Sequence, residues 1–263
     1  METPIYQVDA FTSNPFHGNP AGVTILSEEK PAEWMQAVAR EMNLSETAFL
    51  LKVENGYNLR WFTPAVEVDL CGHATLASAH ILWEQGYLKP DQQTIFFTAS
   101  GELRANLKDG WVELDFPAFI SNSVAVDQKV VAALGKRPVN AYEADVNLMV
   151  EFADPQEVID LAPDYGLIAQ LPYQGVIATS RSQKADFDFI SRYFAPQAGI
   201  NEDPVTGSAH CSLAPFWSNR LGKTELHAFQ ASSRGGELRI TVGQERTFIR
   251  GQAKTIFTGQ LFV

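Results

Sequence analysis

Apolar and polar positions alternate over much of the chain, which predicts a protein dominated by β-strands. Short runs with a period of two, such as GELRANL at 101–107 and WVELDF at 111–116, are typical of strands that bury one face. The many strand-like runs, together with the fewer helical segments described below, predict the α+β class. The other strand-like runs fall at 5–11, 22–26, 47–51, 57–62, 94–97, 142–152, 175–180, 187–194, 236–242, 246–251 and 255–263.

Helical periodicity occurs in fewer segments. In 31–42, Pro31 suits the first helical position and apolar side chains recur every four residues. Two further helices are predicted to begin near Gly72 and Gly207. Fainter helical patterns fall at 126–134 and 155–162.

The two halves of the chain share a sequence pattern. The segment RWFTPAVEVDLCGHATLASAHILW at 60–83 resembles RYFAPQAGINEDPVTGSAHCSLAPFW at 192–217. The shared Arg, Phe and Pro recur 132 positions later, and the shared Gly and Ala recur 135 positions later. Because the two sets of shared residues occur in the same order and at nearly the same offset, we predict two similar halves, each a sheet or barrel around one long helix.

In each copy a strand leads through a proline corner and a small-residue turn into a helix. A helix N-terminus has unpaired N–H groups and partial positive charge, and glycine permits close approach of a ligand. The two turns are therefore predicted to bind a carboxylate or an enolate-like oxygen. Their backbone is contributed by Gly72 and Ala74, and by Gly207 and Ala209. Side chains that can exchange protons stand beside them: Cys71, His73 and Thr75, and Asp203, Thr206 and Ser208.

Several of these side chains also have a purely structural interpretation. Asp203, Thr206 and Ser208 belong to residue types that cap helices, and for Thr206 capping is at least as good an interpretation as chemistry. Cys71 is interpreted either as a small buried apolar side chain or, if it lies at a helix start, as a reactive thiol whose thiolate is favoured.

Two polar residues precede apolar strands. Glu46 belongs either to a polar turn with Ser45 and Thr47, or is a partly desolvated acid that serves as a general base. Asn19, in the loop VDAFTSNPFHGNPAGV, is predicted to form a turn with Pro20 and to contact a ligand.

Composition narrows the range of partners. The 263 residues are 45% hydrophobic, which is enough for a large core, and the net charge of −11 disfavours nucleic acid and anionic membranes as partners. The pattern predicts neither a signal peptide nor a membrane span, and the two cysteines predict a reduced cytoplasmic protein. No phosphate-binding loop and no metal-ligand spacing occurs, so neither a cofactor nor a metal is expected.

Four motifs resemble the phenazine-biosynthesis (PhzF-like) isomerase family: VDAFTSNPFHGNPAGV, LSETAFL, RWFTPAVEVDLCGHATLASA and EDPVTGSAH. They follow the family order and span almost the whole chain. The resemblance implies the diaminopimelate-epimerase-like fold, with one half at 1–117 plus about 252–263, the other at 118–251, and an active site in the cleft between them. It also implies a homodimer.

The resemblance further implies a cofactor-free isomerase that moves a proton within a small unsaturated or amino carboxylic acid. Glu46 would be the general base, helped by His73, Asp203 and Ser208. In the related epimerases a cysteine precedes each turn glycine, whereas Thr206 stands at the second position here. Two alternatives stay open: a cysteine-based epimerase or dehydratase that uses Cys71 with Thr206, and a small-molecule-binding protein without catalysis.

Overall fold

A computed structural model describes residues 3–263, and the chain divides into two compact units. The first unit contains the chain up to Asp115 together with Ile249–Val263, and the second is Phe116–Phe248. The last strand returns to the first unit, where it pairs with the first strand of the chain.

The first unit has two helices, α1 (Ala32–Met42) and α2 (Gly72–Glu84). Its strands are β1 (Thr3–Ala10), β2 (Asn19–Leu26), β3 (Glu46–Val53), β4 (Gly56–Phe62), β5 (Glu67–Val68), β6 (Thr94–Thr98), β7 (Gly101–Lys108), β8 (Trp111–Pro117) and, after the second unit, β18 (Ala253–Leu261).

The second unit has four α-helices, which are α3 (Gln128–Leu134), α4 (Pro155–Ile159), α5 (Tyr165–Ile168) and α6 (Gly207–Leu221). A 3₁₀ turn spans Pro196–Ala198. Its strands are β9 (Ser121–Val124), β10 (Asn140–Ala144), β11 (Asn147–Glu151), β12 (Val176–Arg181), β13 (Phe189–Ala195), β14 (Ile200–Asp203), β15 (Glu225–Gln230), β16 (Gly236–Val242) and β17 (Arg246–Gly251), the last of which runs back into the first unit.

The two units pair their strands in the same pattern. Along β18, β1, β2, β3, β4, β6 and β7, the successive pairings are antiparallel, antiparallel, parallel, antiparallel, parallel and antiparallel. The same succession holds along β9, β10, β11, β12, β13, β15 and β16. Each parallel pair is joined by a connection that contains a helix, as parallel strands require. The predicted repeat is therefore present in the topology.

The repeat extends to individual side chains. Arg60 binds Glu67 through Nε and a terminal nitrogen at 2.6 and 2.8 Å, and its guanidinium lies 5.2 Å from the ring of Phe62. Arg192 binds Glu202 in the same two-pronged way at 2.7 and 2.8 Å, over Phe194 at 4.9 Å. The shared arginine and phenylalanine thus have the same structural role in both units. The arginine forms an ion pair that joins a short strand (β5 or β14) to a longer one (β4 or β13).

Helix α2 is the central helix of the first unit. Its side chains are buried almost all round from Gly72 to Trp83, and it packs on β1, β2, β3 and β18. A helix with this pattern belongs in a core rather than on a surface. In the second unit α6 is also largely buried and packs on β15 and β16. By contrast α1 buries only one face, through Met35, Val38 and Ala39.

Some predicted elements differ from those observed. The single run predicted at 142–152 is two antiparallel strands, β10 and β11, because the chain turns at Asp145, which takes a φ of 56°. The strands β5, β9, β14 and β15 and the helix α5 were not predicted. β14 is short and polar, and it forms because Tyr193 of β13 supplies a pairing partner for Asp203.

Candidate active site

The start of α2 and the starts of two parallel strands bring three predicted site residues together in the first unit. Asn19 begins β2, Glu46 begins β3, and His73 is the second residue of α2. The parallel register sets Ala21 beside Glu46, so both strands begin near the same edge. All three side chains are buried or nearly so, with 5% of the His73 side chain and 12% of the Glu46 side chain exposed.

His73 is contacted at both ring nitrogens. Nε2 lies 3.1 Å from Oε2 of Glu46, although the approach is too oblique for a hydrogen bond. Nδ1 lies 3.1 Å from the amide nitrogen of Asn19 and 3.5 Å from the sulfur of Cys71. In the neutral ring Nδ1 accepts from the amide nitrogen of Asn19, and the proton sits on Nε2, facing Glu46. In the protonated ring both nitrogens donate, so the Asn19 amide must turn its oxygen towards Nδ1.

Burial and the neighbouring charges act in opposite directions on this cluster. Burial raises the pKa of the Cys71 thiol to about 11, and the Glu46 charge adds to the effect. Burial by itself lowers the pKa of His73, but Cys71 and Glu46 raise it, and the result lies well above the usual range. Because a thiol with so high a pKa is neutral at pH 7, the charge that favours protonated His73 there is that of Glu46.

Cys71 is the N-cap residue of α2, in an extended conformation. Its place at the helix start was expected to favour the thiolate, but burial and the charge of Glu46 act in the opposite direction and raise the pKa of this thiol. Both cysteines are free thiols and buried, and burial raises the pKa of Cys211 to about 12.

Glu46, Cys71 and His73 are also of metal-ligating types, with ligand atoms within 4.8 Å of one another, although the sequence spacing predicted no metal site. Glu46 faces one ring nitrogen and Cys71 the other. A tetrahedral ion bonds a single nitrogen of a histidine at about 2.0–2.1 Å and needs the other ligands gathered on that side. This arrangement therefore fits a chain of polar contacts better than a metal centre.

In the second unit the turn before α6 is held by side-chain hydrogen bonds. Thr206 is the N-cap residue, but its side chain does not cap the helix. Its hydroxyl oxygen lies 2.5 Å from Oδ2 of Asp203, so the capping interpretation of Thr206 is wrong. Gln230, at the end of β15 and fully buried, contacts both residues of this turn.

The remaining predicted site residues lie in the first turns of the two central helices. Gly72 and Ala74 are buried in the first turn of α2, and Gly207 and Ala209 are buried in the first turn of α6. Ser208 is exposed. The first intrahelical bond of α2 is donated by Thr75 to Cys71, so the N–H groups of Gly72, His73 and Ala74 precede the helical ladder, and that of Ala74 donates to the Cys71 sulfur.

Two residues of this region were not predicted from the sequence. Gln230 lies 24 residues beyond Thr206, in a strand that was not predicted. His210 lies within the EDPVTGSAH motif, and its Nδ1 donates to the carbonyl of Thr206 at 2.8 Å. Its position one helical turn after Thr206 was the available signal, because i to i+4 spacing places a donor under the N-cap carbonyl.

Among the residues described, no helix combines the length and the apolar character that a membrane crossing requires. Comparison with known proteins identifies relatives along the whole chain. The model of the family described as phenazine biosynthesis-like protein, PhzC-PhzF, matches residues 8–259. A protein of Halalkalibacterium halodurans named as an uncharacterized isomerase is 48% identical, with all of both chains covered.

Solved structures agree with the sequence comparison. A PhzF-family phenazine biosynthesis protein of Enterococcus faecalis superposes with a TM-score of 0.96 at 41% identity, with both chains fully covered. A probable proline racemase of Agrobacterium radiobacter has a TM-score of 0.69 at 14% identity over 99% of this chain and 93% of its own, which shows a shared fold alone. The fold class is thus the epimerase-like α+β fold that the motifs implied, and this chain belongs to the phenazine biosynthesis-like (PhzC-PhzF) family.

Proposed function

We propose that this protein is an isomerase that moves a proton within a small unsaturated or amino carboxylic acid, without a cofactor, and that Glu46 is the general base. The observation that carries the proposal is the buried pair of Glu46 and His73, whose Oε2 and Nε2 atoms are 3.1 Å apart at the positive end of α2. Relatives that are 48% and 46% identical over nearly the full chain are named isomerases, and this supports the proposed reaction class.

The pair contains an acid and a base side by side. Ionised Glu46 favours a protonated His73, and the raised pKa of His73 follows in part from this charge. The charge of His73 lies next to Oε2, and we propose that the second carboxylate oxygen takes a proton from a carbon next to an unsaturated bond. The electron pair of that C–H bond delocalises into the unsaturated acid, and the proton returns from Glu46 to a different carbon. No electrons are gained or lost overall.

The negative charge that develops on the substrate needs donors. The N–H groups in the first turn of α2, at Gly72–Ala74, are proposed as such donors, although that of Ala74 also donates to the Cys71 sulfur, and protonated His73 adds a positive charge next to them. We further propose that the turn before α6 supplies a second set at Gly207–Ala209, that Asp203 and Ser208 contact the substrate, and that Asn19 orients His73. The active form is proposed to be a homodimer in the cytoplasm, and light scattering of the purified protein tests whether it is a dimer.

The decisive experiment measures exchange of substrate C–H protons with deuterated water by NMR. It uses a panel of small unsaturated and amino carboxylic acids. Glu46→Gln removes the base while keeping the shape of the side chain, and exchange should fall by at least about 10²-fold, since a positioned base contributes that much. The matched control is Glu41→Gln, an exposed glutamate of the same unit, which should exchange like the wild type. Retention of full exchange by Glu46→Gln contradicts the proposal.

A cysteine-based epimerase or dehydratase is the second candidate, favoured by the 3.5 Å contact between the Cys71 sulfur and Nδ1 of His73. Against it stand the pKa of about 11 for this thiol and the presence of Thr206 at the matching position of the other turn. Cys71→Ser separates the two, because the Glu46 mechanism tolerates loss of the thiol and the cysteine mechanism does not. If acids bind to the wild type and none exchanges, the protein is a binding protein.

A further inference from the structure

We propose that Gln230 is a positioning residue that sets the direction of the hydrogen bonds at Asp203, acting through Thr206. The inference deepens the proposed function, since it rests on Asp203 being part of the active site. It is carried by three hydrogen bonds of one buried amide group, and it assigns a role to a residue outside the family-like motifs.

The orientation of the Gln230 amide follows from a backbone group that has only one possible role. The N–H of Thr206 can only donate, and it lies 2.9 Å from Oε1 of Gln230. The amide oxygen therefore faces this N–H and is the acceptor. The amide nitrogen has two hydrogens, which go to the carbonyl oxygen of Asp203 at 2.8 Å and to the hydroxyl oxygen of Thr206 at 3.1 Å.

The direction of the next hydrogen bond follows from this orientation. The Thr206 hydroxyl already accepts a hydrogen from Gln230, and it has one hydrogen of its own to donate. Its other neighbour is Oδ2 of Asp203, at 2.5 Å. Oδ2 is therefore the acceptor and carries no proton, and any proton that Asp203 exchanges with a substrate sits on Oδ1. Gln230 in this way selects which oxygen of Asp203 takes part in proton transfer.

Comparison of the two units shows that the hydrogen bonds from the residue at the place of Gln230 to the turn before the helix are not a general requirement of the fold. The parallel pairs Tyr57 with Phe96 and Phe189 with Ala228 occupy equivalent places, 132 positions apart. On the same offset the counterpart of Gln230 is Thr98, whose hydroxyl donates to Gly101 instead of reaching the turn before α2.

A different hydrogen bond, from a serine two residues further along the chain, is present in both units. Ser100 donates to the carbonyl of Asp69 at 2.8 Å, and Ser232, again 132 positions later, donates to the carbonyl of Pro204 at 2.8 Å. Asp69 and Pro204 each lie three residues before the first glycine of their helix. The serine contact therefore fastens the turn in both copies, and the glutamine is an addition in the copy that contains Asp203.

The test replaces Gln230 by glutamate, which has the same shape and keeps an acceptor for the Thr206 N–H but loses both donated hydrogens. The Thr206 hydroxyl is then free to donate to the introduced carboxylate instead of Asp203. We expect kcat to fall by about 10–100-fold, the usual cost of a misdirected catalytic group, with a much smaller change in KM. Gln197→Glu is the matched control, since its amide also donates to two carbonyls of the second unit, those of Ala169 and Leu171.

A second variant keeps the inference testable if Gln230→Glu folds poorly. Thr206→Val removes the relaying hydroxyl with little change of shape and should lower kcat to the same extent. In the double variant the two losses should not add, because both act through one hydrogen bond. Additive losses, or a kcat within twofold of the wild type for Thr206→Val, overturn the proposal.

Failure of the proposed function is distinguished by a crystal structure of Gln230→Glu, which needs no activity. The inference expects the Thr206 hydroxyl to turn to the new carboxylate at position 230 and to leave hydrogen-bond distance of Oδ2 of Asp203. If the contact with Oδ2 stays short, the positioning role is wrong even for an active isomerase. If the contact breaks while the wild type exchanges no substrate proton, the hydrogen-bond switch stands and the isomerase proposal is the part that fails.

Discussion

We predict that His210 lowers the stability of the second unit at acidic pH. Replacement of His210 by asparagine tests this prediction. The ring is fully buried in α6, and its Nδ1 donates to the carbonyl of Thr206 at 2.8 Å. Burial lowers the pKa of His210 to about 4, although the bond to Thr206 opposes the shift. Asparagine at this position keeps a donor close to the place of Nδ1 but does not titrate.

The sign of the effect follows from where the proton binds. An unfolded histidine titrates near 6.5, so between pH 6.5 and 4 the unfolded chain binds a proton that the folded chain does not. The contribution of His210 to stability is complete above this range and is lost as the pH falls. At about 1.36 kcal/mol per pKa unit, acidification from pH 7.5 to 5 removes about 2 kcal/mol of the free energy of unfolding.

Urea denaturation at several pH values between 7.5 and 5 measures this loss. Exchange of the amide hydrogens of β13 and β15 reports on the second unit separately. His210→Asn should start from a lower stability at pH 7.5 but lose about 2 kcal/mol less than the wild type on acidification. The other four histidines are present in both proteins, so their contributions cancel. Parallel pH profiles for the two proteins would refute the assignment of a buried neutral ring.

Two further predictions concern the core and the repeated ion pairs. Arg192→Met should cost about 3–5 kcal/mol of unfolding free energy, because it leaves Glu202 and three backbone carbonyls without their partner in a largely buried environment. Arg60→Met should cost less than about 1 kcal/mol, since the side chains of Arg60 and Glu67 are more than one-third exposed. Equal losses for the two variants in urea titrations contradict this prediction. Gly251→Ala should cost about 1–3 kcal/mol by thermal unfolding, because the added Cβ would lie 2.4 Å from the ring of Phe11, and an unchanged melting temperature contradicts that.

Much of the fold follows from local pattern. The alternating runs predicted most of the strands, and Pro31, Gly72 and Gly207 predicted helix starts within a residue of those observed. The repeat predicted two units of one topology, which the matching strand pairings confirm. The break at Asp145 was not predicted, because apolar residues continue on both sides of a turn that depends on one backbone angle.

For the candidate site, the sequence by itself determined which chemical groups stand at two helix starts and beside one strand start, because those features depend on neighbours along the chain. Only the tertiary structure decided which groups touch. The parallel register of β2 and β3 brings Glu46 to His73, and the pairing of β13 with β15 brings Gln230 under Thr206. It also decided the charge state of Cys71, because burial sets its pKa and burial depends on the whole unit.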